Sequence, residues 1–314
     1  MSDEVLLRTE SLGKSYGDRP VLRGLDLEVR RGQRVALLGA NGAGKTTLFR
    51  CVLGTIGFEG TVSVDGVPVR DRGREARSRI GYVPQQAPAY DMTLTDFLRF
   101  FCDLRGMDPA AAAGRLSDLG LEVELEGEKL LRELSGGMLQ KSVLALALTA
   151  DAPLLLLDEP TASLDPGSRR EFLRAVRGVD AGRTLLFASH RFEDIEALAD
   201  RILVLRDGVL AFDGTPEELR STARLDTTLW MRLPVGDLDR GVELLRTLDA
   251  VRHVHRNGVG LEAEVASEAV PRVLARLGNT DLEVEDLRTF PPSVDELVER
   301  ILAGEGRDRP GGAA

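Results

Sequence analysis

The 314-residue sequence is 43% hydrophobic and 29% charged, the balance of an ordinary globular protein with room for one large domain and one small one. Its net charge of −10 argues against nucleic acid or an anionic membrane surface as the main partner, since both favour basic faces. Cys51 and Cys102 lack CxxC spacing and read as reduced, buried thiols. No apolar run approaches the roughly 18 residues needed to cross a bilayer. The acidic start, Met1 to Glu4, predicts neither a secretory signal nor a transit peptide, hence a cytosolic chain.

Residues 5 to 31 alternate apolar and polar positions, as at Leu25, Leu27 and Val29, which predicts half-exposed strands. Val35 to Leu38 form a continuous apolar run, as do Leu154 to Leu157 and Thr184 to Ala188; such runs suit parallel strands buried on both faces. Directly after the first run comes Gly39-Ala40-Asn41-Gly42-Ala43-Gly44-Lys45-Thr46, followed by a helical stretch from Thr47. This is G-x-x-x-x-G-K-[ST] between a strand and a helix. Its glycines let backbone amides approach anionic oxygens, and the helix N-terminus adds partial positive charge. Lys45 is placed to reach the β- and γ-phosphates, and the Thr46 hydroxyl to ligate magnesium. Asp65-Gly66 predicts a hairpin within residues 61 to 69. Residues 92 to 150 read as mostly helical, with a helix starting at Asp108-Pro109.

Leu134-Ser135-Gly136-Gly137-Met138 opens a long apolar helix, with Ser135 as N-cap. A plain helix cap would explain this segment alone. Two phosphate cradles far apart in one chain need a joint explanation. Asp158-Glu159 ends the second buried run, placing two acids at the edge of a parallel sheet, where ligands bind. In nucleotide hydrolysis one carboxylate holds magnesium while another group aligns the attacking water. Asp158 suits the first role and Glu159 the second.

Beyond residue 220 the pattern changes. Strand 228–234, helix 236–248, strands 250–256 and 259–265 around Asn257-Gly258, helix 267–277 and strand 282–290 are predicted. The order β-α-β-β-α-β is the ferredoxin-like arrangement. A last helix at about 293–303 is expected, then a disordered Gly/Pro-rich tail. A two-residue Asn257-Gly258 turn sets His253 opposite Glu262 and Val254 opposite Leu261. The imidazoles of His253 and His255 then share the open face of the sheet with Glu262 and Glu264, too few ligands for a tight metal site.

Taken together, these motifs across about residues 4 to 220 resemble the nucleotide-binding subunits of ATP-binding-cassette (ABC) transporters. The resemblance implies an α/β P-loop cassette, with a parallel core sheet, an antiparallel β flank and a helical subdomain, over residues 1–220. It leaves a small α+β accessory domain at 228–304 and a tail at 305–314. It also implies further roles. Tyr16 stacks on adenine; Gly39 to Thr47 hold the phosphates; Gln85, with Gln86 as the adjacent candidate, senses magnesium and couples to the membrane subunit. Ser135, Gly136, Gly137 and Met138 form the signature that closes over the nucleotide of another protomer. Met138 replaces the commoner glutamine, which leaves the hydroxyl and amide contacts intact. Ser163 and Asp165 lie in the loop exchanged across the dimer, and His190 contacts the γ-phosphate. Thr46, Gln85 and Asp158 would hold magnesium; Glu159 and His190 would be catalytic.

The partners implied are a polytopic transmembrane subunit and a second ABC ATPase, identical or similar, with ATP and Mg2+ as cofactors. No nucleic acid is expected, and membrane contact comes only through the partner, at the inner face of the cell membrane. The C-terminal region, with Pro292 to Leu297, is similar to exporter ATPases of drug-resistance and polysaccharide or lipid classes. It is also similar to the copper-associated ATPase of nitrous-oxide-reductase maturation. An importer with a ligand-sensing domain, or a soluble ABC ATPase acting on ribosomes or DNA, is the alternative.

Overall fold

The computed structural model describes residues 4–180, 182–223, 226–258 and 260–290, and the chain divides into two compact units at Pro216/Glu217. In the first unit, β1 (Val5–Tyr16) and β2 (Arg19–Arg30) pair as a long antiparallel hairpin. Alternation buries Leu25, Leu27 and Val29 while their neighbours face solvent. β3 (Arg34–Leu38) then begins a different sheet, and α1 (Lys45–Val52) comes after it. β4 (Glu59–Val64) pairs with β1, and β5 (Val67–Pro68) turns back on it through Asp65 and Gly66, at φ 53° and 71°. That is the predicted hairpin, with both turn residues in the left-handed region.

After the short α2 (Gly73–Ser78) comes β6 (Ile80–Val83). The helical stretch contains α3 (Leu94–Arg105), α4 (Pro109–Asp118), α5 (Val123–Glu126) and α6 (Gly136–Thr149). Asp108 caps α4 by accepting from the Ala110 amide, and Ser135 caps α6 by accepting from Met138 N at 3.2 Å. β7 (Leu154–Asp158), α7 (Pro166–Arg177), β8 (Thr184–Ala188), α8 (Phe192–Leu198), β9 (Arg201–Arg206) and β10 (Val209–Gly214) complete this unit.

The central sheet has the order β10-β9-β3-β8-β7-β6, parallel except for the β10 edge. Every residue of β7 and β8 is buried, as the continuous apolar runs require of strands covered on both faces. The second sheet has the order β2-β1-β4-β5. One apolar core joins Leu6, Leu27 and Val64 of the antiparallel strands to Phe49 of α1 and to Leu156, Leu186 and Leu203 of the parallel ones.

α9 (Pro216–Ala223) leads into the second unit, whose sheet has the order β12-β13-β11-β14 and is antiparallel throughout. These strands are β11 (Asp226–Arg232), β12 (Val251–Asn257), β13 (Gly260–Ala266) and β14 (Asp286–Phe290); α10 (Leu238–Arg246) and α11 (Val270–Gly278) pack on one face. Each helix is entered through a 3-10 turn, Val235–Asp237 and Ser267–Ala269. The last strand is shorter than the predicted 282–290, because its partner β11 ends at Arg232, opposite Asp286.

The hairpin register also differs from expectation. Asn257 pairs with Gly260 instead of sitting in the turn, so His253 meets Glu264 and His255 meets Glu262, while Val254 meets Ala263. Gly258 takes the left-handed conformation at φ 61°. The slip moves each pairing by two positions along β13, so the exposed face still holds both imidazoles and both glutamates, and Leu261, Ala263 and Val265 remain in the core. The predicted helix at 293–303 and the tail at 305–314 lie outside the described residues.

Candidate nucleotide site

Four neighbouring parallel strands, β3, β8, β7 and β6, end side by side. The residues just past those ends build the site. After β3 comes the loop of residues 39–44; after β8, Ser189 and His190; after β7, Glu159; after β6, Pro84 and Gln85. Ligands settle in such crevices at the carboxyl edge of an open α/β sheet. A cleft of about 380 Å³ lies there, lined by Tyr16, Asn41, Gly42, Gly44, Lys45, Thr46, Thr47, Gln85 and Glu159, and also by Arg19 and Val21.

The loop is glycine-dependent where it matters. Gly39 has φ 151°, and a Cβ there would lie 2.5 Å from the Leu205 carbonyl oxygen; Gly44 has φ 111° and would meet Leu22 Cδ2 at 2.9 Å. Lys45 is buried and folded back, its Nζ donating to Gly39 O at 2.6 Å and Ala40 O at 3.4 Å and lying 3.9 Å from Glu159 Oε1. Ala43, within the loop, is buried. Tyr16 is 46% exposed at the hairpin end, with Lys14 Nζ 5.1 Å from its ring centroid. An exposed aromatic there offers a stacking surface for a planar ring.

The two acids sit in opposite environments. Asp158 is buried, and burial above all pushes its carboxyl up from the ordinary range, against the hydrogen bond that Thr46 Oγ1 donates to its Oδ1 at 3.5 Å. Its charge adds to burial in pushing the Tyr82 hydroxyl up to about 12. Glu159 has left the strand at φ 46°, a strained value for a residue with a side chain. Its carboxylate pairs with His190 Nε2 at 2.7 Å and accepts from Gln85 Nε2 at 3.2 Å. The hydrogen bond from His190 is the main reason its carboxyl is held below the usual range. Gln85, not Gln86, lines the cleft.

Ser135 to Met138 line no part of this cleft. They open α6, whose Gln140 Nε2 donates to Pro84 O at 2.8 Å, tying that helix to the Gln85 turn. A Cβ at Gly136 would meet nothing within 4 Å, and one at Gly137 only ordinary contacts with Leu164, Ser168 and Ser135. The chain's own packing therefore has no need of glycine at either place. Ser163 and Asp165 lie in the turn after β7; Asp165 caps α7, accepting from Gly167 N at 2.8 Å and Ser168 N at 3.1 Å. The Ser168 side-chain hydroxyl, ahead of those two amides, holds its carboxyl below the usual range. Arg19 and Val21 had no motif to mark them; their signal is their place just after Tyr16, across the turn at Gly17.

Residues 22–162 match the family model described as ABC transporter. The chain is 33% identical to the daunorubicin resistance ATP-binding protein DrrA3 of Streptomyces coeruleorubidus, over 97% of this chain and 98% of that one. The chain belongs to the ABC transporter ATPases. As an ABC ATPase it is also 39% identical to the Nod factor export ATP-binding protein I of Cupriavidus metallidurans, over 68% of this chain and 72% of the relative. Among solved structures, an ATP-binding subunit of an ABC transporter matches with a TM-score of 0.63 at 28% identity, covering 69% of this chain and 92% of that one. A bacterial Atm1-family ABC exporter with ATP bound matches with a TM-score of 0.64, also at 28% identity, over 70% of this chain and 40% of the exporter. The ABC ATPase fold and ATP binding coupled to transport are thereby established for the cassette.

Proposed function

We propose that the chain powers an exporter as one of two ATPase protomers that close on ATP against a membrane-embedded partner. One observation carries the reading: a complete set of phosphate and hydrolysis groups lines or adjoins the cleft, while Ser135 to Met138, a capped helix N-terminus, lie outside it. The two glycines without an internal packing reason support an approach by something from outside the chain. The nucleotide of a second protomer fits that description.

In this reading Tyr16 stacks on the adenine. Gly39 to Thr47 cradle the phosphates, and Lys45 exchanges its carbonyl partners for the β- and γ-phosphate oxygens. Glu159 aligns the attacking water and His190 contacts the γ-phosphate, while Ser163 and Asp165 face the other protomer. The residues present fit a magnesium ion. A buried carboxylate whose ionisation is disfavoured by desolvation, with a threonine hydroxyl beside it, is the kind of oxygen set that a hard cation satisfies. Thr46, Asp158 and Gln85 would hold it, and it would neutralise charge on the phosphates.

An apolar groove of about 390 Å³ supports the membrane partner. Pro84, one residue before Gln85, lines it together with Tyr90, Phe97, Phe101 and Leu104. Tyr90 and Leu104 are 46% and 66% exposed. A short helix from a membrane subunit, laid into such a groove, would feel any movement of Gln85. No helix among the described residues is long and apolar enough to cross a membrane. Placement on the cytoplasmic face through that partner is part of the proposal.

The cassette is assigned to residues 1–220 and an accessory domain to 228–304. The β-α-β-β-α-β order and the sheet order β12-β13-β11-β14 support a ferredoxin-like module. The drug-resistance and Nod-factor-export names of its relatives favour export over import.

The test is Glu159→Gln. The amide keeps the shape and loses the carboxylate that aligns water, so phosphate release should fall on the order of 100-fold or more while ATP binding persists. The variant should elute as an ATP-dependent dimer. Wild-type turnover would sink the role of Glu159, and a monomer at saturating ATP would sink the two-chain site.

A further inference from the structure

Thirty-five residues beyond Glu159, in α8, one carboxylate sits almost entirely out of water. Asp194 is 2% exposed, and it is not among the residues lining the nucleotide cleft. Both of its oxygens are engaged. Thr161 Oγ1 donates to Oδ2 at 2.5 Å and Ser189 Oγ to the same oxygen at 3.2 Å. Arg169 Nε donates to Oδ1 at 2.7 Å, and its Nη2 lies 2.6 Å away.

The donors belong to separate stretches of chain. Thr161 stands two residues after Glu159 in the turn that runs on to Ser163 and Asp165. Arg169 lies in the first turn of α7, its amide donating to the Asp165 carbonyl at 2.9 Å. Ser189 immediately precedes His190, and its hydroxyl also accepts from Arg191 N at 3.1 Å. The segments that carry Glu159, the Ser163–Asp165 turn and His190 thus converge on one buried charge. A buried ion pair is poor economy for stability alone, because desolvation offsets most of its attraction. A fully satisfied polar network does fix one geometry sharply.

We infer that Asp194 is a positioning residue for ATP hydrolysis: it locks the Glu159–Asp165 turn and the Ser189–His190 turn into one body. The His190–Glu159 contact of 2.7 Å is then held ready before nucleotide arrives. The Ser163–Asp165 turn is presented to the second protomer in the same register. The inference rests on the ATPase reading of the cleft. It adds that hydrolysis depends on a residue that never touches nucleotide, acting through His190.

The experiment measures ATP affinity and steady-state hydrolysis of the full chain for Asp194→Asn, Thr161→Val and Thr161→Ser. Asp194→Asn and Thr161→Val are also combined with His190→Ala. Thr161→Val keeps the volume and loses the hydroxyl, so it reports even if Asp194→Asn folds poorly. The expected result is unchanged Kd for ATP with kcat lowered on the order of 100-fold in Asp194→Asn, since small displacements of aligned groups cost that much. Thr161→Val should fall as well, and Thr161→Ser should keep wild-type turnover. In the His190→Ala background the added loss should shrink to less than about twofold, as for groups acting through one unit. Wild-type kcat in both Asp194→Asn and Thr161→Val, losses that multiply with His190→Ala, or a parallel loss of ATP affinity would each overturn the inference. Glu159→Gln separates the two levels: if it turns over normally the ATPase assignment of the cleft fails, whereas an inert Glu159→Gln beside fully active Asp194→Asn and Thr161→Val sinks only the positioning role.

Discussion

Asp158 and Glu159 are neighbours with opposite titration behaviour, and the sign of each has a consequence. The folded state lowers the Glu159 carboxyl, chiefly through His190, so its contribution to stability is present above the ordinary value of 4.5. That contribution is lost as pH falls through the lowered folded value. Asp158 is raised by burial, so its favourable contribution is complete only below the ordinary value of 3.8 and is lost as pH rises through the raised folded value. Without nucleotide, burial therefore sets a cost on the charged form of Asp158. Asp158→Asn should remove that cost: on the order of 1 kcal/mol, or roughly 2–4 °C in Tm at pH 7 without nucleotide. The gain should vanish below about pH 4, and hydrolysis should be lost throughout. A lower Tm for Asp158→Asn at pH 7 would refute this. Lys45→Ala and Ser135→Arg form a second pair. The first removes the charge that faces the phosphates, so ATP affinity of the monomer should drop at least tenfold, about 1.4 kcal/mol. The second should leave monomer affinity unchanged and abolish the ATP-dependent dimer, as read by titration and size-exclusion chromatography. Equal loss of monomer affinity in both would contradict a site split between two chains.

At the scale of elements, the second unit tests how strand register governs chemistry. His253 and His255 face Glu264 and Glu262, with His255 Nε2 3.6 Å from Glu262 Oε2. Among the described residues, no group of three or more His, Cys, Asp or Glu side chains is placed to hold a metal. Calorimetric titration of the full chain with copper and zinc should find no submicromolar site that disappears in the His253→Ala/His255→Ala variant; such a site would reverse this expectation. The slip of the β12–β13 hairpin was not legible, because Asn-Gly favours a two-residue turn locally. The pairing of Asn257 with Gly260 is a tertiary choice. A Cβ at Gly260 would sit 2.6 Å from the Met231 carbonyl, so the neighbouring strand's close approach is made at that glycine. The parallel strands β3, β7 and β8 were legible as unbroken apolar runs. β6 was not, since Ile80 to Val83 is short and interrupted by Gly81, and only its place beside β7 makes it a strand. The motifs named most of the cleft because each is contiguous in sequence. Arg19 and Val21 escaped because a hairpin, not a motif, carries them there. The Asp194 network escaped for the same reason, its members being scattered from Thr161 to Asp194.

For the whole molecule, the division at Pro216/Glu217 and the separate core built on Leu229, Met231, Leu261 and Val273 suggest a direct cut. A chain ending near residue 220 should remain folded and bind ATP with a Kd within about threefold of the full chain, because among the described residues none that lines the cleft comes from the second unit. It should assemble less well with its membrane subunit, measured by co-purification. Loss of ATP binding on truncation would show that the cassette needs the second unit. The placement of the signature residues outside the chain's own cleft has one more consequence, which concerns mixtures. On the proposed two-chain site every working cleft borrows a signature from a neighbour, so a defective copy spoils more than its own share of activity. In a cell that holds intact and Ser135→Arg chains in equal amounts, random seating of two chains on each membrane partner, a step that does not use the signature, leaves only about a quarter of the pairs with two intact members. The damaged allele would then behave as a poison and not as a mere loss, its severity set by how many intact chains are left to outnumber it.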